Sequence, residues 1–188
     1  MLDFKKGNKF VCISTLKDDN KNDIFTIGHL YECEEYGRIN IELKTPSCKH
    51  HTIGYIPMLE NILVGEKYYP LFKNIYDLEN YSIGRPGFNE IRIPKVIINN
   101  SLKFLSTLIR EGIKIDDNLD IHASSFCTVC FDFYAHDGEF QSLINVEIGK
   151  SMIGWFTEWV HGINTESDGM NTDFMSIPQI LKDELMRL

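Results

Sequence analysis

The feature that most constrains the fold is the continuous stretch of residues 125–160, where three strand-like runs follow one another with only short turns between them. The first run, Phe126 to Tyr134, is almost wholly aromatic, β-branched or thiol-bearing, a composition typical of a half-buried pleated surface. Residues 135–139 contain Asp-Gly, which favours a hairpin because glycine accepts a positive φ. The first two runs are therefore predicted to pair antiparallel.

The second and third runs show the two-residue alternation of a sheet with two different faces. From residue 142 to 148, Ile144, Val146 and Ile148 share one face and polar residues take the other. After a Gly-Lys-Ser turn, residues 152–160 place four residues on one face: Ile153, Trp155, Thr157 and Trp159. The stretch predicts an antiparallel meander of three strands.

A helix is predicted on each side of this meander. After Pro94, apolar residues recur at three- and four-residue spacing and Gly112 ends the stripe, which is formed by Ile98, Leu102, Leu105, Leu108 and Ile109. The second helix is predicted to begin with a capping box at Ser176 and Gln179, and its buried stripe is Leu181, Leu185 and Leu188. Residues 161–173 between meander and helix predict a polar loop, functional or mobile. Two helices on one sheet face predict an α+β domain.

The first part of the chain predicts a different, mostly β architecture. Short strand-like runs lie at close spacing with turn residues between them, in the ranges 9–16, 24–27, 30–36, 38–43 and 51–56. This pattern favours a small barrel or sandwich. Residues 66–75 are predicted to close it with a short terminal segment.

The order KFVCISTL, polar turn, FTIGHLYEC and RINIEL resembles the small SH3-like barrels of bacterial and phage accessory proteins. In those barrels a Gly-x-x-Tyr element leads into the second long strand, and Gly28 and Tyr31 match it here. The resemblance covers residues 6–75 and implies a binding module of phage or mobile-element origin. It assigns no functional residue.

Together these patterns predict a mostly β protein with two domains. The predicted divisions are an SH3-like barrel over residues 1–75, a turn-rich linker over 76–93 and an α+β domain over 94–188. The charge distribution agrees with this division: residues 1–75 carry ten Lys/Arg and ten Asp/Glu, whereas residues 76–188 carry nine and seventeen. Because an acidic surface repels phosphate, nucleic-acid binding is not expected for residues 76–188.

The chain is predicted to be cytoplasmic and to have no membrane partner. No apolar run approaches the roughly 20 residues that span a bilayer. The first residues show no secretory signal, and five cysteines make an odd count, which indicates reduced thiols rather than a disulfide framework.

Two groups of cysteine and histidine were considered as metal sites. Cys127 and Cys130 form a Cys-x-x-Cys, but three residues apart within a strand they are predicted to point to opposite faces. The second group consists of His29, Cys33, Cys48, His50 and His51, and its spacing matches no closed zinc pattern. Cys12 and Cys33 are predicted to fill the core of the barrel, and His50 and His51 to lie at a loop edge. We predict no metal and no cofactor, and a fold that excess EDTA leaves unchanged.

Function is predicted from what the sequence lacks and from its aromatic residues. No nucleophile elbow, P-loop, dinucleotide fingerprint or His-Glu-x-x-His is present, and this favours a non-enzymatic binding protein. The resemblance to phage accessory proteins implies that it engages a host protein. The alternative is a small hydrolase-like enzyme that uses His122 or His136 with nearby carboxylates. The predicted partner-binding residues are Tyr134, Trp155, Trp159 and His161, with burial in the core as the other interpretation of the aromatic cluster.

Overall fold

The computed structural model describes residues 2–36, 40–44, 51–83, 91–115, 118–137, 140–158 and 167–188. It divides into two compact units, Met1–Lys73 and Asn74–Leu188. Both consist mainly of antiparallel strands accompanied by helices, so the broad prediction of a mostly β protein with helices is confirmed. None of the helices in the described ranges is long and apolar enough to span a membrane.

The first unit is built on a five-stranded antiparallel sheet with the order β6-β5-β4-β1-β7. Its strands are β1 (Lys9–Cys12), β4 (Leu30–Tyr36), β5 (Asn40–Lys44), β6 (His51–Tyr55) and β7 (Leu63–Gly65). A separate pair is formed by β2 (Leu16–Lys17) and β3 (Asp23–Phe25), and a short helix, α1 (Ile56–Leu59), follows β6. As described, this sheet is open, with β6 and β7 at its edges, and a closed barrel is not seen.

The core of the first unit collects residues from strands that are distant in sequence. Its buried members are Phe4, Phe10, Cys12, Phe25, Tyr31, Cys33, Leu59 and Leu63, so the predicted burial of Cys12 and Cys33 is confirmed. The Gly-x-x-Tyr turn is hydrogen-bonded to residues of this core. Gly28, at φ +79°, donates its N–H to the Cys12 carbonyl at 2.7 Å, and the Thr26 N–H donates to the Tyr31 hydroxyl at 2.9 Å.

The segment predicted to close the barrel is helical instead. After β7, residues 66–68 form a 3₁₀ turn and helix α2 (Tyr69–Asp77) follows. The reason lies in its spacing, since Phe72, Ile75 and Leu78 are buried at three-residue intervals, which suits a helical stripe rather than a strand. The predicted linker at 76–93 also contains regular structure, because the end of α2, a 3₁₀ turn, β8 (Ser82–Ile83) and β9 (Ile91–Arg92) fall within it.

The second unit contains the predicted meander, extended from three strands to five. Its order is β10-β11-β12-β13-β14, and every neighbouring pair is antiparallel. The strands are β10 (Leu119–Ala123), β11 (Val129–Asp137), β12 (Phe140–Ile148), β13 (Ile153–Glu158) and β14 (Ser167–Asn171). The prediction of a polar loop at 161–173 is therefore wrong for Ser167–Asn171, whose backbone completes the ladder of β13 despite its polar side chains.

Two helices accompany the sheet, as predicted. In α3 (Lys95–Arg110) the stripe Ile98, Leu102, Leu105 and Leu108 is buried, and the Phe104 ring meets Phe131 of β11 edge-on at 5.2 Å. Gly112 follows the helix at φ +72°, a conformation that glycine adopts without strain, so its predicted capping position is confirmed.

The last helix begins later than its predicted capping box. Helix α4 (Gln179–Leu185) has Pro178 at its N-cap in an extended conformation, with no side-chain cap bond. Ser176 therefore lies outside the helix and its predicted capping role is wrong, whereas the burial of Leu181 and Leu185 is confirmed. A salt bridge of 2.8 Å joins Lys182 to Glu111, just beyond α3.

The sheet of the second unit has two unlike faces. The face that packs on α3, here called the inner face, carries buried cross-strand rows such as Phe131, Val146 and Trp155. Alternate residues form the outer face, and most of them are half-buried or exposed: Asp120, His122, Cys130, Asp132, Tyr134, Leu143, Asn145, Glu147, Gly154, Phe156 and Met170. The outer face is the place where this unit presents functional groups to solvent.

Candidate interaction surface on the outer sheet face

A hydrogen-bonded carboxylate, Asp132, lies at the centre of the outer face. His122 Nε2 is 2.9 Å from its Oδ2, and Asn145 Nδ2 donates to its Oδ1 at 2.5 Å. The Tyr134 hydroxyl donates to Oδ2 at 3.4 Å. The three partners come from three adjacent strands, so the hydrogen bonds of Asp132 link side chains of β10, β11 and β12 on the outer face.

His122 is held by acceptors at both of its ring nitrogens. Nδ1 lies 3.3 Å from the Ala123 carbonyl, while Nε2 faces Asp132. Both contacts are satisfied together only when both nitrogens carry protons. Burial lowers the pKa of His122, but the hydrogen bonds to Asp132 and Ala123 and the charges of Asp132 and Asp120 outweigh it, so the pKa is raised.

This geometry does not suit the hydrolase-like alternative. A general base needs a ring nitrogen with an available lone pair within reach of a substrate proton. His122 directs both nitrogens at acceptors of its own chain. The other predicted base, His136, pairs through its backbone with Gln141, and its side chain lies outside the described residues.

Both thiols of this unit, Cys127 and Cys130, are free. Cys127 lies in the turn before β11 at φ +61°, so the prediction that both cysteines belong to one strand is wrong for Cys127. Cys130 does lie in β11, and burial raises its pKa to about 11, which keeps it protonated near neutral pH.

The part of the chain that the structure describes contains no group of three or more His, Cys, Asp or Glu able to hold a metal. Cys48 and His50 lie outside the described residues, as does the side chain of His51. Insensitivity to metal removal stays a prediction. We expect the melting temperature under reducing conditions to be the same with and without excess EDTA, and a large fall on chelation would contradict it.

The turn between β10 and β11, residues 124–128, presents a phenylalanine to solvent. Phe126 is 82% exposed, although the turn around it is closely hydrogen-bonded. The Phe126 N–H donates to the Ser124 hydroxyl at 3.0 Å, and the Ser124 N–H donates to the Thr128 carbonyl at 3.0 Å. We call this segment the Phe126 turn.

A carboxylate on β12 holds the Phe126 turn against the sheet. The Thr128 hydroxyl donates to Glu147 Oε1. The Ser124 hydroxyl lies 2.5 Å from the Thr128 hydroxyl and 3.2 Å from the same carboxylate oxygen. The exposed aromatic ring is therefore carried by a turn whose conformation is set in advance.

A position without a side chain, Gly154, lies next to Glu147 on the outer face. Gly154 of β13 pairs with Glu147 on one side and with Met170 of β14 on the other. A Cβ at Gly154 would meet no atom within 4 Å. Phe156, two residues along β13, is 40% exposed, Met152, just before β13, is 44% exposed, and Met170 is 75% exposed. We call the group Glu147, Met152, Gly154, Phe156 and Met170 the Gly154 notch.

The meander is strongly acidic. Between Lys114 and Lys182 the sequence contains eleven Asp and Glu but a single basic residue, Lys150. Elsewhere in the second unit the Lys and Arg residues belong to the helices, their ends and the segment before α3. The second unit thus carries most of its Lys and Arg outside this acidic segment.

The structure separates the predicted partner-binding residues. Tyr134 lies half-buried on the outer face, where burial first and then the neighbouring carboxylates raise its pKa. Trp155 lies on the inner face at 7% exposure, so its indole belongs to the core and is not available to a partner in this structure. Trp159 and His161 lie outside the described residues, and their roles stay predictions.

Sequence reasoning placed Phe156 near the aromatic cluster but missed the exposed Phe126 turn and the outer-face residues Gly154 and Met170. The alternation that placed Trp155 on one face also places Gly154 and Phe156 on the other, so that signal was present. Phe126 was assigned to a strand, and nothing in its neighbours predicted the left-handed Cys127 that ends the turn. Met170 was hidden because β14 has no apolar alternation.

Comparison with known proteins adds no assignment: no family model matches this chain, nor does any curated protein or solved structure.

Proposed function

We propose that this chain is a non-enzymatic protein-binding protein whose interaction surface is the outer face of the second unit, with the Phe126 turn as its anchor. The observation that carries this proposal is the 82% exposure of Phe126 on a turn fixed by its own hydrogen bonds. Burying such a side chain is worth about 1.5–3 kcal/mol, which the free chain does not gain. Aromatic side chains on prearranged surfaces are the usual anchors of protein interfaces.

The residues around the Phe126 turn support an extended surface rather than an isolated exposed ring. The antiparallel register places the Phe126 turn, the turn that contains Met152, and the Met170 end of β14 at the same end of the sheet. An apolar group of this kind beside polar, hydrogen-bonded residues is typical of an interaction site.

The first unit supports a proposal about the kind of protein. Its resemblance to SH3-like barrels supports an SH3-like fold for residues 1–75, and the Gly28 turn joined to β1 is consistent with it. We propose a cytoplasmic accessory protein of phage or mobile-element origin that engages a host protein. The free thiols Cys12, Cys33, Cys127 and Cys130 agree with a reducing compartment.

A photo-crosslinking experiment tests this proposal at the Phe126 turn. Benzoylphenylalanine replaces Phe126 in one variant and Ile180 in another, since Ile180 is 60% exposed on α4 and serves as a matched surface control. In bacterial lysate we expect a discrete adduct at position 126 that unlabelled wild-type chain suppresses and unlabelled Phe126→Ser chain does not.

Two outcomes would overturn the proposal. Equal adducts at positions 126 and 180, or equal suppression by the two competitors, would show that Phe126 anchors nothing. An adduct made only of two copies of this chain would replace the host partner with self-association.

A further inference from the structure

We propose that the Gly154 notch receives an arginine side chain from the partner, so that the partner of this protein presents a basic surface. This inference rests on the proposed function and names the chemistry of the partner at the same face. It is carried by three properties of the notch: its space, its apolar walls and its charge.

The space comes from the missing side chain of Gly154. A Cβ at Gly154 would meet no atom within 4 Å, so no neighbouring group covers the backbone there. Phe156, two positions along β13, Met152, just before β13, and Met170, across the ladder, are all exposed. A long, thin side chain can lie over the glycine and contact all three.

The walls suit the stem and the head of an arginine. Its three methylene groups can pack on the Met152 and Met170 side chains, as long charged side chains do along apolar surfaces. Its planar guanidinium can stack on the exposed face of Phe156, an arrangement that favours Arg over Lys. An aliphatic side chain would fill the same space but would leave the charge of Glu147 without a cationic partner.

The charge comes from Glu147, which borders the notch across the β12–β13 ladder. Both of its hydroxyl contacts, with Ser124 and Thr128, are made at Oε1, and a carboxylate accepts more hydrogen bonds than these two. Asp120 and Asp132 lie in the next row of the outer face. These three carboxylates, in a segment with eleven acidic residues and one basic residue between Lys114 and Lys182, complement a cationic protein surface and repel nucleic acid or an acidic peptide.

The test uses a defined probe, a nona-arginine peptide, and follows the backbone amides of the full chain by NMR during titration. We expect the largest shifts at Glu147, Gly154 and Met170, weaker binding of nona-lysine, none of nona-glutamate, and a loss of affinity as salt rises. Crowding of the Gly154 notch by Gly154→Val should lower the affinity at least about tenfold, which corresponds to about 1.4 kcal/mol.

A charge-matched pair of variants separates the notch from general electrostatic attraction. Glu147→Gln keeps a side chain that can accept from Thr128 but removes the charge, and Asp183→Asn removes one charge from the exposed surface of α4. We expect Glu147→Gln to weaken nona-arginine binding several-fold and Asp183→Asn to leave it nearly unchanged. Equal effects of the two variants, or shifts confined to the helices, would overturn the inference.

The failure of this inference can be distinguished from failure of the proposed function. The Phe126 adduct could form equally well at low and high salt and in the Gly154→Val variant. In that case the partner is not recognised through arginine, but the proposed interaction surface is still supported. If no specific adduct forms at position 126, the proposed function falls. A purely apolar peptide that binds the notch regardless of Glu147→Gln would also refute the basic partner.

Discussion

At the scale of single residues, the outer face is organised by carboxylates that already have partners within the chain. Asp132 is only 14% exposed at its side chain and has three hydrogen-bond partners, and Glu147 holds the Phe126 turn. A buried or half-buried carboxylate needs such partners because desolvation otherwise penalises its charge. These residues therefore give the surface its shape, and the exposed apolar residues beside them provide contact area.

The raised pKa of His122 predicts a specific pH dependence of stability. A histidine whose pKa is higher when folded stabilises the fold fully below its ordinary value of about 6.5 and loses that effect as pH rises through the raised value. We expect the loss of unfolding free energy caused by His122→Gln to be larger at pH 5.5 than at pH 8.5, measured by urea titration. Because the His122 side chain is 43% exposed, the difference should stay below about 1 kcal/mol.

His29 supplies a control of opposite sign for this measurement. Burial lowers its pKa more than the charge of Asp23 raises it, so its protonation opposes folding and destabilises the fold as pH falls. The change in unfolding free energy caused by His29→Gln should therefore be more favourable to the fold at pH 5.5 than at pH 8.5. The same pH slope in both variants would show that neither histidine is coupled to folding as described.

Trp155 and Gly169 form a second residue-scale pair that predicts a large effect. They are direct cross-strand neighbours, and a Cβ at Gly169 would lie 2.0 Å from Trp155 Cζ2. Gly169→Ala should destabilise the second unit by about 1–3 kcal/mol, because the indole is buried and cannot move aside freely. The urea midpoint followed by tryptophan emission measures this change.

Gly154→Ala is the matched control, since the same substitution on the adjacent strand meets no atom within 4 Å. It should be neutral or stabilising by up to about 1 kcal/mol, because alanine loses less backbone freedom than glycine. Replacing Trp155 by Phe in the Gly169→Ala chain should recover part of the loss. Equal midpoints for Gly154→Ala and Gly169→Ala would contradict the described packing.

At the scale of elements, helix α3 does more than cover the inner face, because it also fixes a turn of the sheet. The amide of Asn100, which is 6% exposed, donates to the carbonyls of Gly149 and Lys150 at 3.1 Å each. Those carbonyls belong to the β12–β13 turn, which the Gly149 N–H closes onto the Met152 carbonyl at 2.9 Å. Through this turn the helix sets the position of one wall of the Gly154 notch.

Asn100→Ala should therefore loosen the turn as well as lower stability. Loss of the two part-buried hydrogen bonds that Asn100 donates predicts a decrease of about 1–3 kcal/mol in the free energy of unfolding. The amides of residues 149–152 should exchange with solvent faster than those of β11. Asn99→Ala, at the exposed neighbouring position of the same helix, is the control and should change neither quantity. Unchanged exchange in Asn100→Ala would remove the proposed link between helix and turn.

The sequence predicted those elements whose side-chain pattern matches their backbone. Strands β11 to β13 and helix α3 followed from alternation and three- or four-residue spacing, and Gly112 followed from the φ that a helix end requires. Strand β14 was missed because Ser167–Asn171 joins the sheet through its backbone and contributes little apolar surface. The Phe126 turn was missed because it depends on Glu147, nineteen residues after Thr128, and no local signal reports such a contact.

At the scale of the whole molecule, the two units differ in electrostatic character. Residues 1–73 have balanced charge and the rest of the chain carries the net charge of −8. Within the second unit most of the positive residues lie outside the segment between Lys114 and Lys182, so repulsion among like charges is concentrated in that segment. Self-repulsion of this kind opposes the folded state and is reduced by salt.

Salt should therefore stabilise the second unit selectively. Both tryptophans, Trp155 and Trp159, belong to this unit, so tryptophan emission reports on it alone. We expect its unfolding free energy to rise by on the order of 1 kcal/mol between 20 mM and 500 mM sodium chloride. The rise in unfolding free energy with sodium chloride should be smaller in Asp120→Asn, which removes one outer-face charge. A transition that salt does not move would contradict the charge segregation described above.

The sequential order of strands β10 to β14 also bears on how the chain reaches this structure. Each strand pairs with the one synthesised just before it, so the sheet can grow hairpin by hairpin without waiting for distant segments, and such local topologies fold quickly. Gly169, on the last strand, reaches the Trp155 indole only when that strand is added. During refolding or emergence from the ribosome, the final change in tryptophan environment would thus mark the arrival of the last strand at a sheet that is otherwise already laid down.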